Sequence, residues 1–212
     1  MHVKKDEVLE VIEILKETYP DAKCELDYQS PFQLLIATIL SAQCTDVRVN
    51  KVTARLFQKA NSPHEMVGLG IDDLKNEIKE CGLFNNKSKN IMLCCTDLLD
   101  KHNGEVPGDL DELTNLAGVG RKTANVVLSN AFDVPAIAVD THVFRVSNRI
   151  GIVRAKNVDA TEKQLMKKIP KNLWTLSHHL LIFHGRRICT ARNPKCEVCP
   201  VNEHCRYAKK IS

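Results

Sequence analysis

Apolar side chains recur at three- and four-residue intervals along nearly the whole chain, which is the spacing of amphipathic α-helices. The series begins with Val8, Val11, Ile12 and Leu15. No run alternates as a half-buried β-strand would, although residues 137–139 are expected to be extended for a short distance. The pattern therefore predicts an all-α fold.

Several helix starts can be located from capping residues. Two segments match a capping box, with serine at the N-cap, proline at the first helical position and Gln or Glu at the third. They are Ser-Pro-Phe-Gln at 30–33 and Ser-Pro-His-Glu at 62–65. The first of them opens a segment that is apolar nearly all round through Leu40, which indicates a helix packed on several sides. Asp140 and Asp159 are predicted to cap two later helices.

The segment 116–125, Leu-Ala-Gly-Val-Gly-Arg-Lys-Thr-Ala-Asn, lies between two runs of helical spacing. Gly118 and Gly120 predict a tight turn there, because glycine alone enters positive φ without steric cost. The first backbone N–H groups of the second helix would then form an anion site. Lys122 lies in the first turn of that helix, away from its apolar stripe, and is a candidate nucleophile. An ordinary exposed lysine is the alternative interpretation.

Composition and charge narrow the class of protein. With 212 residues, 43% of them hydrophobic, the chain can form one large domain or two small ones. The net charge of +4 is unevenly distributed, because residues 171–212 hold eight Lys or Arg against only Glu197 and Glu203. A polyanionic partner would therefore meet the C-terminal part first.

No targeting or membrane segment is expected. Residues 1–5 lead directly into an amphipathic segment without the apolar stretch of a signal peptide. The longest apolar run, 34–40, is too short to span a bilayer. These features predict a cytoplasmic protein with no membrane partner.

The nine cysteines point to a metal centre, since clustered cysteines without an export signal more often bind metal than form disulfides. Four of them are spaced C-x6-C-x2-C-x5-C, namely Cys189, Cys196, Cys199 and Cys205. A single C-x2-C pair mildly favours an iron–sulfur cluster over tetrahedral zinc but leaves both open. The other five are expected to be small core residues: Cys24, Cys44, Cys81, Cys94 and Cys95.

The hairpin at 116–125, the sequence Val-Asp-Thr-His at 139–142 and the cysteine pattern, taken together, resemble the endonuclease III family. The similarity covers nearly the whole chain. Members of this family are DNA glycosylase/lyases of the helix-hairpin-helix superfamily. The resemblance implies two helical lobes, a six-helix barrel at 24–134 and a discontinuous domain of 1–23 and 135–212 that holds a [4Fe-4S] cluster. It also implies that DNA binds in the cleft between them.

The resemblance assigns roles to individual residues. The family's catalytic lysine and aspartate match Lys122 and Asp140, although Asp140 as a helix cap alone is the competing interpretation. The four spaced cysteines match the cluster ligands. Gln43 and Leu83 match the positions that wedge into DNA, while an ordinary packing contact after Gly82 would also account for Leu83. Further DNA contacts are implied for Gly118, Gly120, Arg121, His142, Arg192 and Lys195, the last two of which are otherwise solvated surface residues.

One departure and one comparison refine the resemblance. The family hairpin commonly reads Leu-Pro-Gly-Val-Gly, and Ala117 here replaces the proline. Without the proline the unfolded chain is less rigid, which lowers the stability of the turn by roughly 0.4–1 kcal/mol. The backbone amides remain in place.

Adenine-specific mismatch glycosylases of the superfamily lack the hairpin lysine and carry a catalytic glutamate on an early helix. Here Lys122 is present, and Ser-Ala-Gln at 41–43 offers no such glutamate.

The resemblance therefore implies a monomeric, prokaryotic DNA glycosylase and abasic-site lyase of base excision repair. Its substrates would be oxidised pyrimidines or abasic sites in duplex DNA, and the strand would be cleaved by β-elimination through a lysine Schiff base. Two alternatives remain at this point. One is a glycosylase specific for mismatches or other lesions, and the other is a non-catalytic DNA-binding module with structural zinc. Lys122 and Asp140 argue against the second, because binding alone requires neither.

Overall fold

The computed structural model describes residues 4–211. They form two compact units, and both units are built from helices. One unit consists of Met1–Cys24 with Pro135–Ser212, and the other of Glu25–Val134. No strand occurs in the described part of the chain, and residues 137–139 are buried without regular structure. The predicted all-α fold is confirmed. Met1, His2 and Val3, which belong to the segment where no signal peptide is expected, lie outside the described residues.

The helices follow one another with short connections. In chain order they are α1 (Lys5–Thr18), α2 (Pro31–Leu40), α3 (Asp46–Lys59), α4 (Pro63–Leu69), α5 (Ile71–Ile78), α6 (Phe84–His102), α7 (Leu110–Thr114), α8 (Arg121–Ala131), α9 (Thr141–Ile150), α10 (Val158–Lys168), α11 (Trp174–Arg187) and α12 (Ala208–Ile211). Short 3₁₀ turns occur at Lys79–Cys81, Lys171–Leu173, Cys196–Val198 and Asn202–His204. Over residues 4–211, no helix is both long and apolar enough to cross a bilayer.

The unit formed by Glu25–Val134 is organised around α2. Ser30 caps this helix by accepting a hydrogen bond from the Gln33 amide, and Pro31 occupies its first position, as the sequence predicts. Nearly every side chain of α2 is buried, because α3, α6 and α8 all pack against it. The hairpin that ends at α8 is thereby anchored to the most apolar helix of the chain.

The other unit is organised around α11, against which α1 and α9 pack. The approach of α9 is close at Gly185, where an added Cβ atom would lie only 2.9 Å from the Cβ atom of His142. Real Cβ contacts are essentially never this short, so the packing of these two helices requires glycine at this position.

One predicted cap is wrong. Helix α10 begins after Asn157, whose side chain accepts a hydrogen bond from the Ala160 amide at 2.8 Å. Asp159 lies instead in the first turn of the helix, where its carboxylate still interacts favourably with the positive end of the helix dipole. Asn157 takes the capping role because its backbone is extended and its side chain reaches the third amide after it.

The buried His179 on α11 should make the stability of its unit depend on pH. Burial lowers the pKa of His179 from 6.5 to about 4. As the pH falls from 6.5 to about 4, the unfolded chain binds a proton that the folded chain does not, so the free energy of unfolding decreases. The loss across this window should be about 3 kcal/mol. It can be measured by urea unfolding at several pH values with fluorescence of Trp174, the only tryptophan.

In this experiment, His179→Gln should have a flatter pH dependence than the wild type, whereas the exposed-site control His64→Gln should match the wild type. Equal pH dependence in wild type and His179→Gln would contradict the assignment.

Candidate active site and metal centre

The hairpin before α8 is formed by local hydrogen bonds. Asp109 caps α7 through Oδ1, which accepts from the amides of Asp111 and Glu112. The turn then closes with a hydrogen bond from the Val119 amide to the Leu116 carbonyl at 3.1 Å. It therefore forms with Ala117 in place of the proline that the family commonly has.

The two hairpin glycines have different roles. Gly118 has φ +77°, and an added Cβ atom would lie 2.8 Å from the Cβ atom of Asn90 on α6, so both its backbone conformation and its surroundings require glycine. Gly120 has φ −87° and ψ 173°, an extended conformation that any residue adopts, and no atom lies within 4 Å of an added Cβ. The expectation of positive φ at both glycines is therefore met only at Gly118.

Lys122 is presented on an open helix end. Gly120 is the N-cap of α8, and within the described chain no side chain caps this helix. Lys122 and Arg121 are exposed in the first turn, whereas Ala124 and Val127 are buried. The amine therefore lies beside uncapped backbone amides, an arrangement suited to holding a phosphate next to a nucleophile.

Asp140 is the N-cap of α9, as the sequence predicts. Its Oδ1 accepts a hydrogen bond from the Val143 amide at 2.8 Å, and the residue is half-buried. A cap needs only one of the two carboxylate oxygens. The same side chain can therefore both start the helix and act on a substrate.

Arg145 joins α9 to the residues around the first cysteine of the metal centre. Its guanidinium donates to the carbonyls of Cys189 at 3.1 Å and Gly185 at 2.9 Å. It also donates to Nδ1 of His142 at 3.1 Å, which leaves Nε2 of that ring to carry the proton. The predicted DNA-contacting residue His142 is thus half-buried and held by an arginine that sequence reasoning missed.

Arg149, one turn further along α9, holds the cysteine loop itself. Its Nη1 donates to the carbonyl of Thr190 at 2.7 Å and lies 3.6 Å from Sγ of Cys189, while Nη2 donates to the carbonyl of Ala191 at 2.8 Å. The guanidinium also stacks on the ring of Tyr207 at 4.7 Å. A spacing of four residues on one helix face is the signal that could have identified Arg145 and Arg149 as a pair.

A second buried contact reaches Cys199. Nε2 of His184 lies 3.6 Å from Sγ of Cys199, while Nδ1 is 2.9 Å from the hydroxyl of Tyr19. Burial raises the pKa of Tyr19 to about 12 and lowers that of His184 to about 4, so both groups are neutral. A tyrosine that donates to Nδ1 leaves the His184 proton on Nε2, where it faces the sulfur.

The four spaced cysteines are gathered at one end of this unit and fit a cluster. The charges of the other three thiols all act on Cys199, whose pKa is raised to about 11, chiefly by burial. In the described chain no three His, Cys, Asp or Glu side chains are arranged to hold a single metal ion. Four thiols whose charges act on one another provide the donor set of a [4Fe-4S] cluster, in which each iron takes one thiolate.

The two predicted wedge residues share a strained backbone conformation. In the described residues, four non-glycine positions have positive φ, and they are Gln43, Leu83, Asn103 and Asp133. Asn and Asp enter this region readily, but Gln and Leu do not. Gln43, at φ 54°, and Leu83, at φ 48°, are both exposed, so burial does not compensate for the strain. Backbone strain of this kind is concentrated at functional sites.

A buried lysine holds the two wedge turns. Nζ of Lys87 donates to the Leu40 carbonyl at 2.8 Å and to the Cys81 carbonyl at 2.9 Å. These carbonyls precede the turns that contain Gln43 and Leu83, and Lys87 is only 5% exposed. Sequence reasoning missed this residue, because a lysine near the start of a helix, as Lys87 is in α6, is normally exposed.

The remaining predicted DNA contacts lie on the surface. Arg192 and Lys195 are exposed in the loop between the first two cysteines. The Lys195 amide donates to the Ile188 carbonyl at 3.0 Å, so the loop folds back on itself. The loop therefore presents both cations to solvent from a defined backbone.

Comparison with known proteins places this geometry in a family. Residues 36–171 match the profile of the HhH-GPD superfamily of base excision DNA repair proteins, and residues 189–205 match the iron–sulfur binding domain of endonuclease III. The chain is 50% identical over 209 residues to endonuclease III of Haemophilus influenzae, with 99% of each chain covered. It is 49% identical over 209 residues to endonuclease III of Escherichia coli strain K12, again with 99% of each covered.

A solved structure agrees with these matches. The chain superposes with a TM-score of 0.94 and 52% identity, over 98% of each chain, on a trapped covalent intermediate of endonuclease III with DNA in an estranged-adenine complex.

Proposed function

This chain belongs to the endonuclease III family of the helix-hairpin-helix superfamily, whose members are bifunctional DNA glycosylases and abasic-site lyases that carry a [4Fe-4S] cluster, and from that membership we propose that Lys122 and Asp140 carry out its reaction on damaged duplex DNA. The observation that carries this proposal is the exposed Lys122 in the first turn of an uncapped helix. A covalent intermediate with DNA has been trapped in the similar solved structure, and a covalent enzyme of this kind needs such an amine.

Lys122 acts as the nucleophile. Its neutral Nζ attacks C1′ of the damaged nucleotide, the bond from C1′ to the base breaks, and the sugar ring opens to a Schiff base. Loss of a proton from C2′ then expels the 3′ phosphate by β-elimination, and water hydrolyses the imine to release the enzyme. The amides at the start of α8 hold the backbone phosphate during these steps.

Asp140 acts as the charge-stabilising carboxylate. Positive charge develops on the sugar as the base leaves, and a fixed carboxylate stabilises it. The same group accepts the proton that Lys122 must lose when it attacks. Because the cap holds Asp140 in one orientation, the carboxylate is preorganised for both roles.

Gln43 and Leu83 fill the space that the extruded nucleotide leaves. Unstacking a paired base takes a few kcal/mol, and a side chain that occupies the gap prevents its return. Leu83, at 54% exposure, is an apolar side chain suited to lie between base steps. Gln43 can hydrogen-bond the orphaned partner base. Their left-handed backbones support this role, because backbone strain of this kind is concentrated at functional sites.

The cluster domain holds the DNA backbone. Cys189, Cys196, Cys199 and Cys205 would hold the [4Fe-4S] cluster, which would cross-link their loop and leave no coordination position for substrate, because each iron takes one thiolate. Arg192 and Lys195 on that loop contact phosphates and contribute to affinity that decreases with salt. Arg121, His142 and the hairpin glycines Gly118 and Gly120 add further backbone contacts.

The substrates we propose are oxidised pyrimidines and abasic sites in duplex DNA, on which the protein acts as a monomer. Since the relatives are bacterial and the substrate is chromosomal DNA, we place it in the bacterial cytoplasm, associated with the nucleoid. A glycosylase for mismatches or other lesions is the second candidate within the superfamily. A panel of duplexes, each with one lesion, distinguishes the two.

Lys122→Ala should abolish covalent trapping. Borohydride reduction during turnover on an abasic duplex should cross-link the wild type to DNA, because the Schiff base is reduced to a stable amine. The matched control Lys89→Ala, which removes another exposed lysine of the same unit, should trap like the wild type. Undiminished trapping in Lys122→Ala would assign the nucleophile to another residue.

Asp140→Asn should lower turnover without unfolding the protein. Asparagine is as good an N-cap as aspartate, so thermal stability should barely change. Turnover of a base-paired lesion should fall roughly 100-fold or more, the scale for a charge-stabilising group. Parallel loss of melting temperature and turnover would instead assign Asp140 a capping role alone.

Leu83→Gly should separate base extrusion from strand cleavage. Glycine relieves the left-handed backbone, so the variant should fold as stably as the wild type within about 1 kcal/mol. Excision of a base-paired lesion should slow roughly tenfold, which corresponds to about 1.4 kcal/mol, whereas cleavage at a pre-formed abasic site should be unchanged. Gln43→Ala should behave in the same way.

The control for this experiment is Asp133→Gly, which removes another exposed left-handed residue of the same unit and should leave both activities intact. Equal losses of Leu83→Gly on the two substrates would show a general binding defect and contradict the wedge role.

A further inference from the structure

The cysteines of the described chain have different surroundings. Outside the metal centre, three are buried, as the sequence predicts, and two are half-exposed; the buried ones are Cys81, Cys94 and Cys95, and the half-exposed ones are Cys24 and Cys44. Two sulfurs of the centre are approached by nitrogen donors from α9 and α11. Nη1 of Arg149 lies 3.6 Å from Sγ of Cys189, and Nε2 of His184 lies 3.6 Å from Sγ of Cys199. The second contact is extended by a further residue, Tyr19.

Tyr19 is held against His184 by its surroundings. It ends α1, is 4% exposed, and places its hydroxyl 2.9 Å from Nδ1 of His184, which is 165 residues away in the chain. Its ring packs edge-on against that of Phe183, with centroids 6.4 Å apart. The guanidinium of Arg187 lies over both rings and is held by the carboxylate of Asp21 at 2.6 Å and 3.2 Å. The phenol is therefore fixed beside the imidazole.

The ligated state of Cys199 decides which nitrogen of His184 carries the proton. A cysteine that binds iron does so as a thiolate, which accepts hydrogen bonds and cannot donate one. The sulfur would therefore face an N–H on Nε2, since two lone pairs directed at each other repel. His184 is 1% exposed, which disfavours its charged form, and a neutral imidazole has only one N–H. Nδ1 must then accept from the hydroxyl of Tyr19.

The two hydrogen bonds reinforce each other. The bond that Nδ1 accepts draws electron density from the ring, which makes the N–H on Nε2 a stronger donor. The same bond fixes the plane of the ring, so that this N–H stays directed at the sulfur. Tyr19 thus acts on Cys199 through His184, in the way that groups outside a ligand set orient and tune a bound metal.

A donor at a ligand sulfur changes the balance between the redox states of an iron–sulfur cluster. The reduced form carries one more negative charge than the oxidised form, so an N–H donor stabilises the reduced form more. The reduction potential is therefore higher with the hydrogen bond than without it, and one-electron oxidants attack the cluster less readily.

We propose that Tyr19 and His184 form a hydrogen-bond relay to Cys199 that raises the reduction potential of the cluster and protects it from oxidative loss. The proposal rests on the four ligands assigned above. Tyr19 is a positioning residue in this relay, because it acts only through the imidazole. By retaining the cluster, the relay also preserves the loop that exposes Arg192 and Lys195 for their proposed phosphate contacts.

The first test is a potentiometric titration of the holoenzyme without oxygen, followed by visible absorbance. His184→Phe removes the donor and should lower the equilibrium constant for reduction about tenfold, the scale of one net hydrogen bond, which is about 59 mV for one electron. His184→Gln should restore most of the potential, because its amide places an N–H where Nε2 was. Tyr19→Phe should lower the constant about twofold, or about 18 mV.

Two comparisons separate the relay from a general loosening of the core. Tyr28→Phe is the matched control, because it removes a tyrosine hydroxyl whose hydrogen bond to the Asn130 carbonyl is also 2.9 Å long but lies in the other unit. This variant should keep the wild-type potential. In the His184→Phe background, Tyr19→Phe should cause no further shift, since the group through which Tyr19 acts is already absent.

The second test measures how long the cluster survives. Holoenzyme is exposed to ferricyanide, a one-electron oxidant, and the iron released is captured by a coloured chelator. His184→Phe should release iron about tenfold faster than the wild type, in proportion to its changed equilibrium constant. His184→Gln and Tyr28→Phe should release it at about the wild-type rate.

Several outcomes would overturn the relay. They are an unchanged potential in iron-loaded His184→Phe, an equal fall in His184→Gln, and a Tyr19→Phe shift that is the same with and without the imidazole. If His184→Phe holds no iron, Tyr19→Phe decides, and a potential equal to that of the wild type refutes the relay. A wild type without about four irons per chain would refute the ligand set as well, whereas iron-loaded variants without a shift refute the relay alone.

Discussion

The architecture of the metal-binding unit depends on one helix, α9, and on the hydrogen bonds that its arginines donate to backbone carbonyls. The helix packs on α11 at Gly185 at a distance that excludes any side chain, and this brings Arg145 and Arg149 to the start of the cysteine loop. Hydrogen bonds from charged groups contribute roughly 1.5–3 kcal/mol each. Because Asp140 is the N-cap of the same helix, the carboxylate and the cluster loop have a common support.

This support explains why a metal cluster without an open position belongs in a DNA-processing enzyme. The segment 189–205 has only short 3₁₀ turns and few buried apolar side chains, so its own packing cannot define its shape. The arginine contacts hold the loop in place of a hydrophobic core, and the cluster proposed there would add four thiolate ligands. The loop exposes Arg192 and Lys195 from a defined backbone, as their proposed contacts with phosphate require.

In the other unit, two exposed residues, Gln43 and Leu83, are held in unfavourable backbone conformations. Left-handed Gln and Leu each store of order 1–3 kcal/mol of strain, so the surrounding structure must determine both turns strongly. Lys87 does so from inside, by binding a carbonyl before each turn. The cost of burying its ammonium is offset by these two bonds and by the negative ends of the helices they close.

The sequence by itself determined the features that depend on neighbouring residues: the helices, the Ser30 and Asp140 caps, the hairpin and the cysteine spacing. Each arises from hydrogen bonds or apolar repeats within a few positions, which a linear pattern records. It failed where two local candidates competed, as Asn157 and Asp159 did, because backbone conformation decided between them. Only the tertiary structure could reveal the burial of Lys87 and the hydrogen bonds from the α9 arginines to the carbonyls around Cys189. Their partners lie far away in the chain, as Leu40 does at 47 residues from Lys87, and no local pattern encodes such contacts.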